Sequence, residues 1–231
     1  MEKLITPPGR ATGCLLRKSK FGEVCQAFSE RITTIPRDEW KNYIGKVSLR
    51  PFVKTVLDQD GVGSCATEST TAAKMICQVV AGEPHVLLNP WSIYRVTSGG
   101  RDQGSSIDDN LVFARDIGIL PESYWPRSKG WRATPPDGWQ NEAAKHKIKE
   151  FFDIRNELEV GSALLKGFAV VFGWQGHSCI LTTLLSDTIA EYLNSWGDWG
   201  DKGFGKIALR DINWGYGAWA VRSEQPDQFS M

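Results

Sequence analysis

Three residues have the types that nucleophilic amide hydrolysis needs, namely Cys65, His177 and Asn194. A thiolate attacks a carbonyl carbon, an imidazole takes and returns the proton, and a side-chain oxygen can hold the second ring N–H and fix the ring plane. Gln59 stands six residues before Cys65, in the same loop. Its amide and the Cys65 backbone N–H could together hold a tetrahedral oxyanion. Taken singly, each has a blander reading. Cys65 is a small core residue at a helix start, His177 a structural histidine, and Asn194 a turn residue. Together they form a nucleophile, a base and an orienter.

The elements that must position them are legible. Gln59-Asp60-Gly61-Val62-Gly63-Ser64 is a tight turn, and apolar or small residues at Ala66, Ser69, Ala73, Ile76 and Val80 recur at helical spacing after it. Ser64 is the expected N-cap and Gly82 the stop. A thiol at this helix start sits at the positive end of the dipole, which predicts a lowered pKa. A second helix is expected from Asn89-Pro90, and a third over 106–116, capped by Ser106 and ended by Gly118. The second half changes character. A strand is expected within 147–154, a helix over 156–166, and strands at 168–174, 178–185, 188–193, 203–210 and 214–222. His177 then opens a strand and Asn194 follows one. A helical half followed by an antiparallel half predicts an α+β fold of two lobes with a cleft between them.

Composition narrows the class. The chain has 231 residues, with 27 Lys and Arg against 27 Asp and Glu, so no global field favours nucleic acid. A hydrophobic content of 41 % with 10 tryptophans supports a sizeable core. No run of apolar residues is long enough to span a membrane, and the first residues lack the apolar core of a signal peptide. The 5 cysteines, Cys14, Cys25, Cys65, Cys77 and Cys179, are too few for a disulfide framework, although Cys14 and Cys25 could pair. These features point to a cytoplasmic protein or to a particle assembled inside the cell. Residues 1–34 read as an arm with a basic patch at Arg17-Lys18-Ser19-Lys20. That arm either docks on a partner or lies as a solvated extension over the body.

The chain resembles the papain-like cysteine peptidases. The resemblance rests on Gln59 with Gly63-Ser64-Cys65, on Asn194-Ser195-Trp196-Gly197 followed by Trp199-Gly200 and Gly203-Phe204, and on the interval from His177 to Asn194. It covers about residues 35–222. It implies a papain-like fold, with a helical lobe over about 35–140 and a β-sheet or barrel lobe over about 141–222, leaving 223–231 as a tail. It also implies a polypeptide substrate and neither metal nor cofactor. A substrate-binding strand is implied at Gly104-Ser105, with the Gly99-Gly100 pair as an alternative alignment. Trp196 would shield the Asn194–His177 bond from water, and Trp199 would floor the leaving-group side of the cleft. Several positions depart from the family pattern. Val62 stands where a disulfide cysteine is usual, Ala66 replaces a tryptophan, and Gly176 replaces an acidic or amide residue. One residue is missing between Trp196 and Trp199. The segment from Phe168 to His177 is very short, so one cleft wall is reduced.

The expected function is hydrolysis of peptide bonds through a Cys65 acyl-enzyme. A competing reading keeps the domain as a structural or binding module in a larger assembly. A metal site from Cys65, His177 and Cys179 has little support, because no CxxC pair accompanies it. Geometry separates the main readings. An open cleft above a Cys65–His177 pair favours the enzyme, and burial of Cys65 under the arm points to a zymogen or a structural role.

Overall fold

The structure, a computed structural model, describes residues 4–222; the expected tail at 223–231 lies outside them. The arm carries strand β1 (Cys14–Leu15) and a short helix α1 (Phe28–Arg31). The first lobe holds α2 (Cys65–Val80), α3 (Trp91–Thr97), β2 (Ser105–Ser106), α4 (Ile107–Asp116) and α5 (Trp139–Ala143). The second holds β3 (Glu150–Ile154), α6 (Glu157–Leu165), β4 (Ala169–Trp174), β5 (His177–Leu184), β6 (Ile189–Leu193), β7 (Phe204–Ala208) and β8 (Ala218–Arg222). Strands β3 to β8 form one sheet in the order β3-β8-β4-β5-β6-β7, with every pair antiparallel. This is the expected α+β arrangement.

The sheet is buried on both faces, and the alternation of its side chains shows how. On β4, Ala169 and Val171 face a core shared with α2, while Val170, Phe172 and Trp174 face a second core under α6. On β8, Trp219 and Val221 join the first core, and Ala218 and Ala220 the second. Helix α2 packs against β4, β5 and β8 and also against α3 and α4, so all of it except Val79 is buried. The sequence stripe marks only part of that burial.

Caps differ in detail from expectation. Asn89 caps α3, its side-chain oxygen accepting from Trp91 N at 2.9 Å, and Asn156 does the same for α6 through Glu159 N. Ser64 and Ser106 make no side-chain cap bond. The Ser64 hydroxyl instead donates to the buried Glu68 carboxylate at 3.0 Å, one turn along the helix.

The arm is not a solvated extension. Its Phe28 is fully buried and stacks edge-on against Phe152 and Phe168, and Cys14 and Ala27 are also core residues. Within its basic patch, Arg17 is paired with the buried Asp153 at 2.6 Å, and Lys18 is paired with Asp109. None of the five cysteines forms a disulfide, so Cys14 and Cys25 do not pair. No helix among the described residues is long and apolar enough to cross a membrane.

Helix α6 tests the packing directly. Gly161 faces Trp40, and a Cβ there would lie 2.2 Å from the ring. Trp40 is fully buried, with its indole N–H held by the Ile35 carbonyl at 2.9 Å, so it has no easy retreat. Helix propensity alone makes Gly161→Ala stabilising by ~1 kcal/mol. The clash reverses this, and a net loss of ~1–3 kcal/mol is expected in urea unfolding; a gain would show that the Trp40 contact is not tight.

Candidate active site

Cys65 is the first residue of α2, preceded by the turn that holds Gln59. His177 is the first residue of β5, delivered by the two-residue turn Gln175-Gly176 from β4. Both turn residues have positive φ, +49° and +78°, the backbone of a type I′ hairpin, which explains why a glycine stands before His177. Asn194 directly follows β6.

The asparagine oxygen accepts from His177 Nε2 at 2.7 Å and from Ser195 N at 2.7 Å. An Nε2–H tautomer leaves Nδ1 as the bare acceptor, and Nδ1 has no hydrogen-bond partner. Trp196 stacks on the imidazole at 4.5 Å between centroids and is itself buried, so it covers the ring beside the Asn194 bond. Trp199 is half-buried and meets Trp196 edge-on at 5.6 Å. The Gln59 loop is tied to the same turn, with Gln59 N donating to the Ser195 carbonyl at 3.0 Å and Ser195 Oγ donating to Gln59 Oε1 at 2.7 Å. The Ala11 and Val62 carbonyls, at 3.0 and 2.7 Å from the other end of the side chain, fix that end as the Gln59 amide donor. The folded chain thus draws Gln59, Cys65, His177 and Asn194 together from three segments, the turn leading into α2, the start of β5 and the end of β6. Cys179 lies behind them, its sulfur 3.8 Å from Asn194 Oδ1.

The arm fills the cleft. Gln59 Nε2 donates to the Ala11 carbonyl at 3.0 Å, and the Trp196 indole N–H reaches the same oxygen at 3.3 Å. Gly13 N and Cys14 N both donate to the Gly176 carbonyl, at 3.1 and 2.8 Å. Ser105 N donates to the Gly13 carbonyl at 2.9 Å, and β1 pairs with β2 in parallel, matching Cys14 to Ser105. Ser105 therefore pairs with the arm, whereas Gly99 and Gly100 lie exposed in the loop after α3. The passage at Gly13 is narrow. A Cβ on Gly13 would lie 2.0 Å from the Gly63 carbonyl oxygen, and one on Gly104 would lie 2.2 Å from the Gly13 oxygen.

Cys65 is 0 % exposed beneath this strand. Its thiol is pushed up to about 12 by burial, held back in part by the N–H groups of Ser178, Gly13 and Ala66. The expected depression by the helix dipole is overturned, because desolvation of a charged sulfur outweighs a partial charge at the helix end. His177 moves the opposite way, down to about 4, again through burial, with the Asn194 bond opposing. Thiol and imidazole are therefore both neutral in this arrangement.

Sequence reasoning missed several groups around the site. Buried Glu68 pairs with the half-buried Arg127 beneath the nucleophile turn, and burial raises the Glu68 pKa despite that cation. Ala11 and Gly13 act through their backbones, and such residue types carry no signal. His85 and His146 are half-buried and lie elsewhere, against Thr55 and Gln78.

No family model matches this sequence, and no curated protein matches it. Solved structures do. Xylellain, a cysteine protease from Xylella fastidiosa, aligns with a TM-score of 0.70 at 18 % identity, covering 97 % of this chain and 100 % of its own. The proform of Amb a 11, a cysteine protease and ragweed pollen allergen, aligns at 0.65 with 18 % identity, covering 86 % and 74 %. Digestive procathepsin L 3 of Tenebrio molitor aligns at 0.63 with 16 % identity, covering 85 % and 75 %. The chain has the two-lobe fold of the papain-like cysteine peptidases.

The His177 shift has a stability consequence. Its folded pKa lies below the ordinary 6.5. The unfolded chain therefore binds the proton first as pH falls, and stability present above pH ~6.5 is lost toward pH ~4, by roughly 3 kcal/mol. Urea midpoints measured across that window are expected to fall, and to fall less in His177→Gln. Equal slopes in the two proteins would show that His177 is not held neutral.

Proposed function

We propose that the chain is a cysteine-type peptidase held latent by its own N-terminal arm. The observation that carries this reading is the arm's backbone lying across Gln59, Cys65, Ser105 and Gly176, with the Ala11 carbonyl on the Gln59 amide. With the arm displaced, Cys65 passes its proton to His177 Nδ1 and the sulfur attacks a peptide carbonyl. Gln59 Nε2 and the Cys65 N–H hold the oxyanion, and removal of one such donor costs roughly 100- to 1000-fold in rate. Collapse of the tetrahedral adduct breaks the C–N bond as His177 protonates the leaving amine. Water, deprotonated by His177, then releases the acid and regenerates the thiol. The substrate is a polypeptide in extended conformation, bound through the Ser105 backbone.

On this reading the docked arm acts as an inhibitor. The Gly13 N–H contributes to the sulfur's surroundings, while the carbonyl on Gln59 belongs to Ala11, two residues earlier in the arm. Proforms among the similar structures, including that of Amb a 11, agree with such a latent state.

One observation favours the alternative of a structural or binding module, namely the complete burial of Cys65 beside a neutral imidazole. The full-length chain separates the two. Gly13→Ala cannot be accommodated against the Gly63 backbone, so it displaces the strand. Iodoacetamide is expected to label Cys65 slowly in the native chain and at least about 10-fold faster in Gly13→Ala, as burial is relieved. Peptide-library cleavage is expected from Gly13→Ala and not from Gly13→Ala with Cys65→Ser. An accessible, labelled Cys65 with no cleavage above the serine variant would assign the domain to binding.

A further inference from the structure

Two walls grip whatever strand occupies the cleft. One is the nucleophile turn at Gly63, and the other is the Gly104-Ser105 strand. They come from segments about 40 residues apart, and no disulfide joins them. A polar clasp joins them instead. Asp102 Oδ1 accepts from Gly63 N at 2.9 Å and from the Tyr94 hydroxyl at 2.6 Å, and the Tyr94 oxygen accepts from Gly104 N at 3.1 Å. Tyr94 is fully buried in α3 and packs edge-on against Trp131 at 5.3 Å, so its hydroxyl is a fixed post.

From this geometry we infer that Asp102 is a positioning residue that sets the spacing between the nucleophile turn and the peptide-binding strand. This rests on the peptidase reading for its effect on turnover, and on the arm's docking for its effect on latency. The chemistry requires a group that accepts twice on one oxygen, which a carboxylate or a carboxamide oxygen does. Both donors are held by rigid elements, one at the turn leading into α2 and one on α3. Loss of the acceptor frees the Gly99–Gly104 loop, in which Gly99 and Gly100 have φ of +65° and +76° and lie exposed. The same clasp serves the latent and the open forms. In the latent form it presses Gly104 onto the Gly13 carbonyl; in the open form it presents Ser105 at a fixed distance from Cys65.

The test uses full-length chains. In the Gly13→Ala background, Asp102→Ala and Tyr94→Phe are each expected to raise KM for an extended peptide by about 10- to 100-fold with a smaller change in kcat, because the misplaced wall is a binding element. Asp102→Asn keeps the doubly accepting oxygen and is expected to restore most of that loss. With Gly13 intact, Asp102→Ala is expected to speed iodoacetamide labelling of Cys65 by roughly 10-fold, since the wall that grips the arm loosens. If Asp102→Asn loses as much as Asp102→Ala, the charge rather than the clasp is what acts, and the inference fails. It also fails if Asp102→Ala leaves both KM and labelling within twofold of the parent. Should Gly13→Ala cleave no peptide at all, the peptidase reading fails, and the labelling series alone decides the clasp.

Discussion

The backbone from Ala11 to Cys14 is the contact on which the state of this site depends. It accepts from Gln59, Trp196 and Ser105, it donates to the Gly176 carbonyl, and its Gly13 N–H favours the Cys65 thiolate. Each of these partners is a buried or half-buried polar group that must be satisfied, and one left bare costs ~1–3 kcal/mol. The arm satisfies them with main-chain atoms, so any extended peptide offers the same donors and acceptors. What the arm adds is a glycine where the passage between Gly63 and Gly104 is too narrow for a side chain. It adds anchors outside the cleft as well, in the buried Phe28 and in Arg17 on Asp153.

Those anchors give the arm a graded hold. The Phe28 cluster is apolar and continuous with the second core, so its release costs a large burial term. The stretch over the cleft is held by hydrogen bonds and by partly exposed ion pairs such as Arg10 on Asp58, which are worth little in water. Local opening at residues 10–14 is thus cheaper than detachment of the whole arm. The unbridged cysteines fit this picture, since no disulfide locks the arm or the cleft walls in place. The walls depend on polar ties, the Asp102 clasp on one side and the Glu68–Arg127 pair beneath the nucleophile turn on the other.

The fold was legible because its pattern is written in side chains. Strands β4 to β8 stand where β-branched and aromatic runs occur, and His177 and Asn194 stand at strand ends as their spacing implied. Gln59, Cys65, His177 and Asn194 stood out as candidates because nucleophile, base and orienter each require a particular residue type. The arm's place could not be named. Ala11 and Gly13 act through main-chain groups that every residue carries, and a length of 34 residues says nothing about where a strand lies. The direction of the Cys65 shift was misread for a related reason. The helix dipole is a local property of sequence, whereas desolvation depends on what the rest of the chain lays over the sulfur. Tyr94 and Asp102 escaped notice because a serviceable carboxylate in a glycine-rich loop looks like any solvated turn residue until the loop is folded.

Burial and docking are linked in both directions. Burial in the docked arrangement holds the thiol near 12 and the imidazole near 4, so the pair is neutral while the arm is in place. An open cleft returns water to both groups and removes the desolvation that separates them from their ordinary values. By thermodynamic reciprocity, whatever favours the charged thiolate–imidazolium pair disfavours the docked strand, and the docked strand disfavours the charged pair by the same amount. On the proposed reading, latency is then more than steric exclusion. The same few residues that block the substrate also add to the burial that keeps Cys65 neutral, and displacement of the backbone at Gly13 both opens the cleft and returns water to the sulfur.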